Sequence, residues 1–104
     1  MPYITQELRD QLDPAIENLT VALLKVTVDG KMVHASEGMY NYIITKLLSM
    51  GYPPTYGSIN AAIGILECAK MEFYRRVAGP YEDTKISTNG DVYPAMRIPI
   101  DLSH

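Results

Sequence analysis

The sequence predicts a mainly α-helical domain, and three observations carry that prediction. Residues 58–78 are expected to form the longest helix, because their large apolar side chains recur every three or four positions, the spacing of one helix face. Residues 36–51 begin with a serine, carry a glutamate in the first turn and end with a glycine. Asp13-Pro14 combines a capping side chain with a proline, which is typical of a helix start. We therefore expect a compact all-α domain of three to four helices around a long central helix.

The central helix is expected to lie at the centre of this domain, because residues 59–66 are apolar nearly all round. The expected core stripe is Ile59, Ala62, Ile63, Leu66, Ala69, Phe73 and Val77. The opposite side carries the small or soft residues Ala61, Gly64, Cys68 and Met71, where another helix could approach closely. Apolar surface on both sides requires more cover than two other helices supply, so the chain is expected to form a homo-oligomer, most simply a dimer.

The flanking helices are marked by their ends. A first helix is expected from Pro14 to about Lys25, and the spacing does not decide whether residues 5–12, with Thr5 as a cap, continue into it. Ser36 is expected to cap a second helix, and Gly51 to end it in a left-handed conformation.

Two connections are more ambiguous. Asp29-Gly30 lies between alternating β-branched residues, so residues 26–33 form either a small β-hairpin or a frayed loop. The central helix is expected to end at residues 78–79, and Pro80 to begin a short helix that stops at residues 89–90. Residues 91–104 are expected to be an extended C-terminal tail of a single domain spanning residues 1–104. The expected buried residues of the tail are Val92, Met96, Ile98 and Ile100.

Composition argues against several classes of protein. Nine basic and twelve acidic residues give a net charge of −3 and are dispersed, which disfavours nucleic-acid binding. No apolar run reaches the roughly 18 residues of a membrane span. The single cysteine, Cys68, is expected to be a small buried hydrophobe in a reducing, cytoplasmic protein. The sequence predicts no catalytic residue, no metal site and no cofactor.

Charged and tyrosine side chains are concentrated around the end of the central helix, and we call this group the polar corner. It consists of Glu67, Lys70, Glu72, Tyr74, Arg75, Arg76, Tyr81, Glu82 and Lys85. The spacing predicts ordinary ion pairs from Glu67 to Lys70 and from Glu72 to Arg76. Arginines beside a proline-started helix could also meet free backbone N–H groups, which suits an anionic oxygen. That oxygen belongs either to the chain's own carboxylates, such as Glu82, or to a small anionic ligand.

Three segments carry a resemblance to a known family: GMYNYIITKLL, INAAIGILECAKMEFYRRV and PYEDTKISTNGDVY. Together they resemble a family of short proteins from bacteria, archaea and their viruses that is classed as a domain of unknown function. The resemblance covers most of the chain, from residue 2 to residue 93. It implies a compact helical fold and supplies no catalytic residues. The chain departs from the family pattern at VTVDGKMVHAS and in the tail after Tyr93.

Two functions remain open at this point. The first is a non-enzymatic, homo-oligomeric binding or assembly protein with a small anionic ligand at a subunit interface. The alternative is a metal-dependent, all-helical nucleotide pyrophosphohydrolase, in which Glu67 and Glu72 with Glu37 or Glu82 would hold Mg²⁺. The first is favoured, because the second helix offers a single carboxylate, Glu37, at its very start.

Overall fold

The computed structural model of the chain describes residues 2–93. The elements in order are α1 Gln6–Leu24, β1 Thr27–Val28, β2 Lys31–Met32, α2 Glu37–Gly51, α3 Tyr56–Phe73, a π segment Tyr74–Ala78 and α4 Gly79–Asn89. The expected mainly helical fold is confirmed. The chain divides into two units, Met1–Leu66 and Glu67–His104, and the boundary falls inside α3. The single domain expected over residues 1–104 stays a prediction.

Helix α1 begins earlier than Asp13-Pro14 suggests. The hydroxyl of Thr5 accepts a hydrogen bond from the backbone N–H of Leu8 at 3.4 Å, and Glu7 in the first turn suits the positive end of the helix dipole. These local signals start the helix at Gln6, and Pro14 lies within it. The alternative in which residues 5–12 continue into the helix that contains Pro14 is therefore confirmed, and residues 6–24 form one helix.

The hairpin alternative for residues 26–33 is confirmed. Strands β1 and β2 pair antiparallel, with Thr27 opposite Met32 and Val28 opposite Lys31. The two residues between the strands, Asp29 and Gly30, have φ values of 52° and 76°. Positive φ at both positions matches the twist of the strands, and an Asp-Gly pair adopts it at low cost.

Helix α2 begins as the sequence predicts and ends differently. The hydroxyl of Ser36 accepts from the N–H of Met39 at 3.2 Å, which confirms the cap. Gly51 is the last helical residue and has no positive φ, so the left-handed stop expected there is wrong. The helix ends because Tyr52 precedes a proline and is extended, with φ −127° and ψ 119°.

The third helical segment does not stop at residues 78–79. Its cap is Thr55, whose hydroxyl accepts from the N–H of Ser58 at 3.4 Å. The backbone then stays helical from α3 through the π segment into α4, and Gly79 donates its N–H to the carbonyl of Tyr74, five residues back. The short helix expected from Pro80 is confirmed as α4, but no break separates it from the preceding segment, because a widened turn accommodates Pro80 within continuous helical backbone. The expected stop at Gly90 is confirmed, with φ 86°.

No residue between positions 2 and 93 is buried in the isolated chain. Large residues of the expected core stripe are exposed by between 43% and 66%, and among the stripe residues only Ala62 is half-buried. The core position expected for this stripe is therefore wrong for the chain alone. Periodicity identifies an apolar face but carries no information on the element that covers it.

The expected burial of Cys68, the expected close packing at Gly64 and the expected burial of the tail can each be compared with the described residues. Cys68 is exposed and not buried as expected. A Cβ placed on Gly64 would meet no atom within 4 Å, so the described chain makes no close approach there. In the expected tail, Val92 is 73% exposed and not buried as expected. Residues 94–104, with Met96, Ile98 and Ile100, lie outside the described residues.

Candidate functional site

The centre of the polar corner is Glu72, which binds both arginines. Its carboxylate lies 3.2 Å from Nη2 of Arg75 and 3.9 Å from Nε of Arg76. The Glu72 side chain is 25% exposed, whereas those of Arg75 and Arg76 are 60% and 65% exposed. Because residues three and four positions apart share one helix face, one carboxylate reaches both guanidinium groups. The predicted pairing of Glu72 with Arg76 is confirmed, and Arg75 joins it.

The outer residues of the polar corner form weaker contacts. Nζ of Lys70 lies 3.5 Å from the carboxylate of Glu67, with both side chains more than half exposed, which confirms the predicted pair. Nζ of Lys85 lies 5.5 Å from the centre of the Tyr81 ring, within cation–π range. Exposed contacts of this kind contribute about 0–1 kcal/mol each, so they orient side chains more than they stabilise the fold.

The π segment creates a contact that the sequence does not reveal. The hydroxyl of Tyr74 donates a hydrogen bond to Oε2 of Glu82 at 2.8 Å, across eight residues. In a regular α helix, residues eight apart point about 80° away from each other. The extra residue in the widened turn rotates Glu82 back by about 100°, so that it lies nearly above Tyr74. No local sequence pattern marks an i→i+5 turn, so the sequence alone does not predict this pairing.

This hydrogen bond gives the polar corner a dependence on pH. The Glu82 carboxylate accepts the hydrogen bond from the Tyr74 hydroxyl, and this bond raises the pKa of Tyr74 above its usual value of about 10. Because the folded-state pKa is the higher one, the contribution to stability is fully present below pH 10 and is lost as pH rises through the folded pKa.

Glu82→Gln is therefore expected to return the ionisation of Tyr74 to lower pH. The measurement is ultraviolet difference titration of tyrosine against a Tyr74→Phe control, which isolates the one phenol in question. Identical titration curves for wild type and Glu82→Gln would contradict the assigned contact.

The backbone N–H groups expected to be free beside the arginines of the polar corner are not present in the structure. The start of α4 is not a free helix N-terminus, because the N–H of Gly79 is bonded to Tyr74 and Pro80 has none. The anion cradle expected beside the arginines therefore lacks its backbone donors. The carboxylate seen on the arginines is that of Glu72, whereas Glu82 accepts from Tyr74.

The carboxylates required by the pyrophosphohydrolase alternative do not converge within the described part of the chain. Among residues 2–93, no three His, Cys, Asp or Glu side chains lie close enough together to hold a metal ion. Glu67, Glu72 and Glu82 each contact a different partner.

Two apolar grooves in the unit Met1–Leu66 were not predicted. The larger, the α2–α3 groove, has a volume of about 480 Å³ and is lined by Thr45, Leu48, Ser49, Tyr52, Pro53, Pro54, Ile59, Ala62, Ile63 and Leu66. The smaller, the α1–α2 groove, has a volume of about 440 Å³ and is lined by Leu23, Val26, Ser36, Gly38, Met39, Tyr42 and Ile43. The available sequence signal was the apolar face of each helix, which does not reveal how two faces meet.

Beside the α1–α2 groove, Nζ of Lys46 donates to the hydroxyl of Tyr42 at 2.9 Å and lies 5.3 Å from the centre of its ring. The hydrogen bond raises the pKa of Lys46, which keeps this lysine cationic.

No helix among the described residues is both long and apolar enough to cross a membrane.

The fold and these surfaces define a small helical chain with exposed apolar grooves and an ion-paired polar corner. The chain belongs to the family described as Domain of unknown function (DUF6899), whose sequence model matches residues 1–92. The membership of a family classed as a domain of unknown function, which the three sequence segments lead us to expect, is thereby confirmed. No curated protein and no solved structure matches the chain.

Proposed function

We propose that the protein is a non-enzymatic, homo-oligomeric helical protein that acts by binding or assembly. The observation that carries this proposal is the absence of a buried residue between positions 2 and 93, together with 28 large hydrophobic residues that are exposed there. Monomeric soluble proteins rarely expose large contiguous apolar patches, which usually mark interaction surfaces.

The energetic argument supports self-association. Ordering a residue costs about 1–2 kcal/mol of backbone entropy, and burial of apolar surface at about 25 cal/mol per Å² is the main compensation. Because residues 2–93 include no fully buried side chain, this part of the chain obtains only part of this compensation within itself. A second copy supplies it whenever the chain is made, without requiring any other protein.

The polar corner is the part of this proposal that concerns a ligand. Arg75 and Arg76 keep most of their surface accessible beside Glu72, so their N–H groups can bind a small anion at the edge of an assembly. The cytoplasmic location and the bacterial, archaeal or viral origin implied by the resemblance belong to the same proposal. The pyrophosphohydrolase alternative has no supporting observation among the described residues.

Light scattering at micromolar concentration tests the proposal. The expected mass is at least twice the chain mass of 11.6 kDa, most simply that of a dimer. The melting temperature should also rise with protein concentration, because dissociation and unfolding are coupled. A mass of 11.6 kDa that stays constant on concentrating, with a concentration-independent melt, would rule the assembly out.

A further inference from the structure

The α2–α3 groove lies in the longest uncharged part of the described chain. Residues 47–66 include no Asp, Glu, Lys or Arg, although they lie at the surface. Met50 is 78% exposed and Tyr56 is 85% exposed. Interface cores are depleted in charge and enriched in tyrosine and methionine, so this composition is typical of an interface and not of a solvated surface.

A second uncovered surface lies on α1 of the same unit. Leu8, Leu12, Ile16 and Leu19 share one face of the helix and are exposed by 47%, 51%, 58% and 42%. We call these four residues the α1 stripe. The acidic residues of α1 lie on the opposite face. They are Glu7, Asp10, Asp13 and Glu17. An amphipathic helix of this kind is suited to a hydrophobic groove between two other helices.

The α1 helix of the same chain does not fill this groove. Its last turn, at Leu23, lines the α1–α2 groove at the start of α2, together with Met39 and Ile43. The α2–α3 groove involves the other end of α2, at Leu48. From Met39 to Leu48 the rise is about 14 Å, and the two sets of α2 residues point about 100° apart. The α1 stripe lines neither groove.

From these surfaces we infer that the α1 stripe of one copy occupies the α2–α3 groove of a second copy, and that the exchange is reciprocal. This inference rests on the homo-oligomer proposed above and names its contact surfaces. The arrangement has twofold symmetry, so each copy gives one helix and receives one. It covers both exposed surfaces at once.

The size of the contact agrees with a stable dimer. Each copy contributes the four residues of the α1 stripe and the ten residues that line the α2–α3 groove. With their immediate neighbours these approach the roughly 20–30 residues a side of a standard interface. A single helix–groove contact would include only half as many contact residues in total, which favours the reciprocal arrangement.

The test introduces a charge into each surface, with a matched control on the same helix. Leu12→Glu changes the α1 stripe, and Val21→Glu places the same charge on the opposite face of α1, where Val21 is 45% exposed. Ile63→Glu changes the groove, and Ile65→Glu, about 160° around α3, does not. We expect Leu12→Glu and Ile63→Glu to weaken dimerisation at least tenfold in light scattering, and both controls to remain dimeric.

Mixing the two disrupted variants identifies the occupant. The Ile63→Glu chain keeps an intact α1 and the Leu12→Glu chain keeps an intact groove, so their mixture can form one normal contact. We expect an equimolar mixture to associate at least tenfold more tightly than either variant alone. Circular dichroism at 222 nm checks that each variant remains helical.

A cross-linking experiment covers the case in which the charged variants fail to fold. In a Cys68→Ser background, one chain carries Leu12→Cys and the other Ile63→Cys, and a short bifunctional maleimide is added. We expect the Leu12–Ile63 cross-link to form at least fivefold faster than either same-site cross-link.

The outcomes separate this inference from the proposed function. A monomeric wild type removes both. A dimeric wild type overturns only the exchange if Leu12→Glu and Ile63→Glu stay dimeric, if the mixture does not associate, or if same-site cross-links dominate. Loss of the dimer on removing residues 94–104, with the α1 variants unaffected, would assign the groove to that segment instead.

Discussion

Leu66→Ala is expected to lower the free energy of unfolding by about 2–5 kcal/mol, although Leu66 is 43% exposed in the isolated chain. The reason is that Leu66 lines the α2–α3 groove, and an oligomer converts this position into a packed core. In a chain that stays monomeric, the same truncation removes little buried surface. Urea unfolding followed by circular dichroism, at protein concentrations a hundredfold apart, measures the change.

The control for Leu66→Ala is Leu24→Ala. Leu24 is 68% exposed, lies at the end of α1 and lines neither groove. Its truncation should change stability by no more than about 0.5 kcal/mol, as is usual for a surface position. Equal effects of the two substitutions would mean that the groove is not covered in solution.

Pro14→Ala is expected to stabilise the protein by about 2 kcal/mol. Pro14 lies inside α1, where proline removes one backbone hydrogen bond and costs about 3 kcal/mol relative to alanine. The unfolded chain gains freedom when proline is removed, which offsets the gain by about 0.4–1 kcal/mol. Thermal and urea unfolding of the two proteins at one concentration give the difference.

Pro54→Ala provides the matched control, because Pro54 lies between α2 and α3, outside any helix. There the unfolded-state effect acts together with any loss of contacts in the α2–α3 groove, which Pro54 lines, so this substitution should destabilise by at least about 0.4 kcal/mol. A loss of stability in Pro14→Ala as well would indicate that the assembled protein requires the local geometry that Pro14 imposes on α1.

Short-range rules made the helix ends and the hairpin predictable. Ser36 caps α2, Gly90 ends α4, and Asp29-Gly30 forms the turn, because each of these depends on a few neighbouring backbone groups. The start of α1 stayed open because two short-range signals compete there. Thr5 and Asp13-Pro14 both mark helix starts, and only the structure shows that the first prevails.

The polar corner was predictable as a set of residues and only partly as a set of contacts. The pairs Glu67–Lys70 and Glu72–Arg76 follow from regular helix spacing. The bond from Tyr74 to Glu82 depends on the widened turn, which regular spacing cannot reveal. Burial was the least predictable property, because it depends on partners that the pattern of one chain does not identify.

The widened turn also has an evolutionary consequence. Deleting one residue from Tyr74–Ala78 would restore an ordinary α turn and leave Pro80 in a regular helix interior, where it costs about 3 kcal/mol. Replacing Pro80 alone would leave the extra residue in place without the proline that the wide turn accommodates. A lineage can therefore lose the proline first at little cost, but it can lose the extra residue cheaply only once the proline is gone, so the two changes are expected in that order.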